Sequence, residues 1–227
     1  MIGEAVLVPG TLCDARVFGP LCARLPGVAT QVVELGLHAK VEDLAKEALA
    51  ATPTRFLGIG FSLGGFVVLE MLRRAPARLA GVVLIAGNAH PDAPDAASIR
   101  RSQVAEAREK GMMAFVAERW PLWSHDGDAA ACKLVGDMAN AAGHEAHARQ
   151  AEMNIARPDL RAVARTSPVP LLVLAGENDR VCPRERYVAA ASGPSATLTI
   201  IQRAGHFLPL EAPEAVADAI AAWSMAA

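Results

Sequence analysis

Short unbroken apolar runs alternate with helix-spaced stretches along most of the chain. Ala5–Val8 (AVLV) is an apolar run stopped by Pro9-Gly10, the pattern of a buried strand. Thr30–Leu35 (TQVVEL), Arg55–Phe61, Leu79–Ala86, Pro170–Ala175 and Ala196–Ile201 read as further strands. Between them, Val41–Ala51 puts Val41, Leu44, Ala45, Ala48 and Leu49 at helical spacing. Gly64–Arg73 begins a helix directly after a strand, and Pro213–Trp223 forms a last helix with proline in its first turn. Apolar strands that alternate with helices predict an α/β fold, a mostly parallel sheet of about six strands with helices on both faces.

One interval breaks this alternation. From Asn88 to Ser167 no strand pattern occurs, whereas Ala97–Lys110, Met112–Trp120, Gly127–Ala142 and His144–Arg157 have helical character. That much helix is too long for one crossover between neighbouring strands. The expectation is a helical cap, residues 88–166, inserted into a core made of residues 1–87 and 167–227, with the whole forming a single domain.

Composition narrows the class. The 227 residues are 52% hydrophobic and 20% charged, enough for one large core. A formal charge of −2, from 22 basic and 24 acidic residues, offers no basic stripe for nucleic acid. No apolar run reaches the ~18 residues of a membrane span, so neither nucleic acid nor membrane is an expected partner. The segment MIGEAVLVPG has neither a basic start nor a long apolar stretch, so no signal peptide is expected and the location is cytoplasmic by default. Cys13, Cys22, Cys132 and Cys182 lack C-x-x-C or zinc-ligand spacing and read as reduced thiols.

The chemistry is concentrated at three strand ends. Gly60-Phe61-Ser62-Leu63-Gly64 matches G-x-S-x-G between a strand and a helix. A turn that sharp strains the serine and leaves room only for glycine two residues either side. The hydroxyl is raised clear of the sheet, and the helix N-terminus beneath it offers free N–H groups to a developing oxyanion. Gly65 is expected to let the helix approach the strand. Alone, the motif is equally well explained as a glycine-rich turn whose serine caps a helix. A nucleophilic serine also needs a base and an orienting acid, in the order Ser, Asp or Glu, His on such a sheet. Asp179 follows the fifth strand and His206 the sixth, giving that order at one rim. Glu177 and Asp159 compete with Asp179, Glu177 ranking lower because it is nearer the strand. Leu63, the residue after the serine, is expected to supply one oxyanion N–H. The other is expected from Thr11, in the loop after the first strand, with Gly10 opening the turn.

With VLVPGTLCDARVF, GFSLGG, LAGENDRV and AGHFLPLEAPEAV, the chain resembles the α/β-hydrolase superfamily over almost its whole length, most closely its small esterase-like members. The resemblance implies a serine esterase that needs no cofactor and acts on a small-molecule ester. Two departures are visible. Many relatives have His-Gly where this chain has Pro9-Gly10, so a histidine that braces the oxyanion loop is missing. Many also begin with two extra antiparallel strands.

The inserted segment bears on substrate. Trp120, Trp123 and Met153, with Leu12 from the oxyanion loop, are candidates for an apolar pocket wall, with cap core the competing role. His125-Asp126 with Asp128, and His144 with His147, lack an evident third ligand, so no metal site is expected. The favoured reading is hydrolysis of a small carboxylic ester through an acyl-enzyme. Hydrolysis of a carbon–carbon bond, enol-lactone or thioester on the same residues is the alternative within the enzyme class. A ligand-binding protein that keeps the fold without turnover is the alternative outside it.

Overall fold

The computed structural model describes residues 3–226; Met1 and Ile2, part of the segment read above for a signal peptide, lie outside the described residues. Six strands form one sheet: β1 Glu4–Val8, β2 Ala29–Val32, β3 Phe56–Phe61, β4 Leu79–Ile85, β5 Leu171–Gly176 and β6 Ala196–Ile201. Their order is β2-β1-β3-β4-β5-β6, and every pairing is parallel. The helices are α1 Gly19–Cys22, α2 Val41–Ala51, α3 Leu63–Arg74, α4 Ala96–Lys110, α5 Met112–Trp123, α6 Ala129–Ile155, α7 Arg161–Arg165, α8 Arg184–Ala190, α9 Leu208–Glu211 and α10 Pro213–Ala226.

Period-two alternation sorts the strand residues into two cores. Val6, Val8, Val82, Leu84, Leu171 and Val173 face a layer that includes α2, α3 and α8. Ala5, Leu7, Val83, Ile85, Leu172 and Leu174 face the opposite layer, which includes α10. Each fully buried Val, Leu or Ile there is worth about 1.5–3 kcal/mol, which explains why the strands read as continuous apolar runs. The exceptions are the two edges: β6 has one buried residue, Ile201, and β2 has none. β2 is shorter than the expected Thr30–Leu35 because its pairing with β1 ends at Leu7 opposite Val32.

The strand order reverses at β1, placing β1 beside β3 at the point where the chain switches direction across the sheet. In open parallel sheets the loops beyond such a switch frame a crevice. Here those loops are Pro9–Asp14 after β1 and the Ser62 turn after β3. Close packing holds them together. A Cβ at Gly60 would meet the Gly64 carbonyl and the Gly65 backbone at 2.5 Å, and one at Gly64 would lie 2.0 Å from the Val8 carbonyl oxygen. At Gly65 it would make only ordinary contacts, from 3.4 Å, so the tight approach belongs to the flanking pair rather than to Gly65.

Between β4 and β5 lie only helices among the described residues, α4 to α7, with α4, α5 and α6 packed on one another. Gly143, at φ 79°, breaks α6 into two arms. None of the described helices is long and apolar enough to cross a membrane.

Gly64→Ala is expected to destabilise the protein by at least ~3 kcal/mol, since the obstruction is backbone and cannot rotate away. For a chain of this size that lowers the thermal midpoint by roughly 10 °C; a circular-dichroism melt within about 2 °C of wild type would show that the elbow tolerates a side chain.

Candidate active site

Ser62 has φ 50° and ψ −113°, a left-handed backbone that a non-glycine residue adopts only under strain. Its N–H donates to the Ile85 carbonyl at 2.9 Å, tying the turn to the end of β4. The side chain opens into a cavity of about 370 Å³. His206 Nε2 lies 3.0 Å from Ser62 Oγ, and His206 Nδ1 lies 2.7 Å from Asp179 Oδ2. Three residues from loops after β3, β5 and β6 therefore form one continuous chain of hydrogen bonds.

Asp179 is held by four donors. Its Oδ1 accepts the Val181 N–H at 2.7 Å and the Cys182 N–H at 3.1 Å. Its Oδ2 accepts the Tyr187 hydroxyl as well as facing His206. Burial raises the pKa of this carboxylate, but the His206 charge and these hydrogen bonds outweigh it and hold the group below its ordinary range. The two competitors lie elsewhere: Glu177 is exposed and accepts the Arg203 N–H, and Asp159 pairs with Arg161 on the surface.

The histidine loop is clamped from both sides. Glu211 Oε2 accepts the N–H groups of Gly205 and His125 at 3.0 and 2.7 Å, and its Oε1 accepts that of Phe207 at 2.8 Å. The His206 N–H donates to the Trp123 carbonyl at 2.9 Å, at the end of α5. One carboxylate thus brackets His206 and ties it to the helices inserted after β4.

The loop after β1 is braced from the same insertion. Leu12, at φ 63°, carries the strain of this turn, not Gly10. What Gly10 provides is proximity, because a Cβ there would meet the Phe61 ring at 2.9 Å and Ser62 Cβ at 3.2 Å. The Leu12 N–H donates to Gln150 Oε1 at 2.8 Å, and Asn154 Nδ2 donates to Thr11 Oγ1 at 3.0 Å. Both partners are buried on the second arm of α6. With the Leu12 N–H engaged, the Thr11 N–H is the candidate oxyanion donor that this loop brings to the cavity. Leu63 begins α3, so its N–H has no partner within the helix. Thr11 and Leu63 both line the cavity around Ser62.

Of the four expected pocket residues, Leu12 and Trp123 line the cavity and Trp120 and Met153 do not. Trp120 turns into the core, its ring 5.1 Å from Phe207, and Met153 is fully buried on the sheet side of α6. Trp120 and Trp123, one turn apart on α5, both pack against Phe207, and Met153 sits beside the cavity-lining Asn154 yet faces the core, distinctions that composition alone does not carry. Phe115, Leu122, His147 and Phe207 complete the apolar wall. Burial, with some repulsion from His144 and nearby arginines, depresses His147 to a pKa of about 4, so its ring is neutral near pH 7. Cys182 also reaches the cavity, and burial pushes its thiol up to about 11, which leaves it a poor nucleophile. Among the described residues no three His, Cys, Asp or Glu side chains gather as metal ligands.

Sequence comparison places these features among known proteins. The chain is 25% identical to a pimeloyl-[acyl-carrier protein] methyl ester esterase of Pectobacterium atrosepticum, over 98% of this chain and 94% of that protein. It is 25% identical to a 2-succinyl-6-hydroxy-2,4-cyclohexadiene-1-carboxylate synthase of Enterobacter sp., over 95% and 89%. Its structure superposes on a malate-bound thermophilic esterase from Thermogutta terrifontis with a TM-score of 0.85 and 26% identity, covering 98% of this chain and 89% of that one. The profile of one family spans residues 5–219, and the chain belongs to that family, the alpha/beta hydrolases.

Proposed function

We propose that the chain is a cofactor-independent serine hydrolase, cytoplasmic, that cleaves a small carboxylic ester through an acyl-enzyme. The observation that carries this reading is the relay from Ser62 Oγ through His206 to Asp179, 3.0 and 2.7 Å long, at a strained elbow inside a cavity. Esterases among its relatives support the same substrate class.

In this mechanism Ser62 Oγ attacks the ester carbonyl carbon while His206 Nε2 takes its proton. Charge moves to the carbonyl oxygen, where the N–H groups of Leu63 and Thr11 stabilise it. The tetrahedral intermediate collapses, and His206 returns the proton to the departing alcohol. Water, deprotonated by His206, then releases the acid. Asp179 keeps the imidazole oriented and stabilises its cation. With four donors around it, the carboxylate stays ionised and does not take the proton itself. The cap, residues 88–166, closes over the site and fixes both the loop that carries Thr11 and the loop that carries His206.

Ser62→Ala is expected to abolish hydrolysis of p-nitrophenyl esters from acetate to decanoate while leaving the thermal midpoint near wild type; turnover that survives the substitution would remove Ser62 from the mechanism. Asp179→Asn should lower kcat by on the order of 10⁴, the figure the trypsin precedent supplies, and a near-normal rate would exclude Asp179 as the orienting acid.

Gln150→Leu strands the buried Leu12 N–H and loosens the Thr11 turn. We expect a kcat loss of about 10-fold or more with a small change in KM, because the loosened donor serves the transition state. A rise in KM alone would assign Gln150 to substrate binding instead.

Asp179 and Asp92 both titrate below the ordinary carboxylate range when folded. As pH falls through the unfolded and then the folded values, the unfolded chain binds protons first and stability is lost. Thermal midpoints should therefore drop between pH 5 and pH 3, and drop less in Asp92→Asn than in wild type.

A further inference from the structure

One wall of the cavity has a charge pattern that ester hydrolysis by itself does not require. Arg157, just beyond α6, is buried with all three of its nitrogens engaged. Nε donates to the His90 carbonyl at 3.2 Å, Nη1 to Asn154 Oδ1 at 3.2 Å and Nη2 to Asp92 Oδ1 at 3.0 Å. The Phe66 ring lies 4.7 Å from its guanidinium carbon. Arg100 on α4 grips the same carboxylate, with Nη2 3.0 Å from Asp92 Oδ1 and Nε bonded to Oδ2. Asp92 is thus shared by two guanidiniums.

Arg186 on α8 and Arg180 after β5 face the same cavity, and neither forms an ion pair among the described residues. Four guanidiniums therefore line the cavity, and the one carboxylate among the lining residues, Asp92, is already shared by two of them. The crowding is felt within the group. Burial is the largest influence on Arg157, and the neighbouring charges of Arg100 and Arg186 add to it, bringing its pKa down to about 10 despite Asp92. The imbalance is local, because the chain as a whole has a formal charge of −2.

Guanidinium groups collected on a concave, partly dry wall form a receptor for a planar or tetrahedral oxyanion. The wall is contiguous with the reaction centre: Arg157 bonds Asn154, Asn154 bonds Thr11, and Thr11 borders Ser62 in the cavity. Phe115, Trp123 and Phe207, packed ring against ring, supply the apolar part of the lining.

We infer that this wall is an anion subsite and that the ester cleaved here carries a second, ionised acidic group, a carboxylate or a phosphate, held by Arg186 and the unengaged edge of Arg100. This rests on the serine hydrolase reading for the reaction, but the subsite can be tested without turnover.

The kinetic test pairs mono-p-nitrophenyl esters of succinic, glutaric and adipic acid with the neutral butyrate, valerate and hexanoate. At the best chain length the acidic ester should have a kcat/KM about 10-fold or more above its neutral partner, the worth of one good charge-assisted contact. The ratio should collapse in Arg186→Gln and in Arg100→Gln, and shrink as salt is added. Titration calorimetry on Ser62→Ala, with glutarate and inorganic phosphate as probes, supplies the second readout. Glutarate binding that Arg186→Gln weakens supports a carboxylate, and phosphate binding with the same dependence supports a phosphate. If no ester is hydrolysed but either probe binds through Arg186, the subsite stands and the esterase reading falls. If esters are hydrolysed without preference for the acidic series, and neither probe binds up to about 20 mM, the anion subsite is overturned and the esterase reading is untouched.

Discussion

The Val8 carbonyl occupies the space that a side chain at residue 64 would need, and much of the molecule follows from that closeness. It joins the end of β1 to the start of α3, so the Thr11 loop and the Ser62 elbow cannot drift apart. It makes Gly64 obligatory, as the Gly64 carbonyl and Gly65 backbone make Gly60 obligatory. The turn that results puts Ser62 at φ 50°, a conformation costing on the order of 1–3 kcal/mol and kept only by surrounding structure. That structure is the parallel sheet, whose central strands bury apolar side chains on two faces. The core holds the strain, and the strain presents the hydroxyl.

A second dependence runs from the inserted helices to the site. Where many α/β hydrolases have a histidine, this chain has Pro9, and a proline offers no N–H and no side-chain bond to stiffen the loop. The stiffening comes from above instead: Gln150 takes the Leu12 N–H, and Asn154 bonds the Thr11 hydroxyl. Trp123 and Glu211 fasten the histidine loop in the same way. Both loops are thereby coupled to the helices that wall the cavity, so anything that shifts α5 or α6 shifts the proposed oxyanion donor and base together.

The legible part of this fold was the part governed by local periodicity. AVLV, FLGIGF and LLVLAG declare themselves because strands buried on both faces have nowhere to place a polar residue. The meeting of Ser62, Asp179 and His206 at one rim was readable because each follows a strand, β3, β5 and β6 in turn. Less legible were groups whose importance lies in long-range contacts. Tyr187 sits on α8, a seven-residue helix with two buried residues, too short and too charged to announce itself. Gln150 and Asn154 resemble ordinary polar positions on a helix until the break at Gly143 aims that arm at residues about 140 positions earlier. Arg100 is inconspicuous on a charged helix for the same reason, since its carboxylate partner, Asp92, comes from a loop. Trp120 and Met153 do not line the cavity, because apolar character marks a side chain that packs, not whether it packs in the core or on the cavity wall.

The two polar systems of the cavity are built on opposite principles. Asp179 is one charge surrounded by four donors, so its charge is fully answered and its state fixed. The arginine wall is the reverse, an excess of donors around one carboxylate. Folding alone gives no reason to keep such an excess, since guanidiniums gathered around a single acid repel one another and lose hydration. A protein can hold them there when burial and packing elsewhere supply the difference, as the Phe66 ring and Asn154 Oδ1 do for Arg157. Unanswered positive charge in the cavity that holds Ser62 then becomes a demand on the ligand. In the proposed reading an acidic group of the substrate answers that charge, and the same contact holds the reactive carbonyl against Ser62.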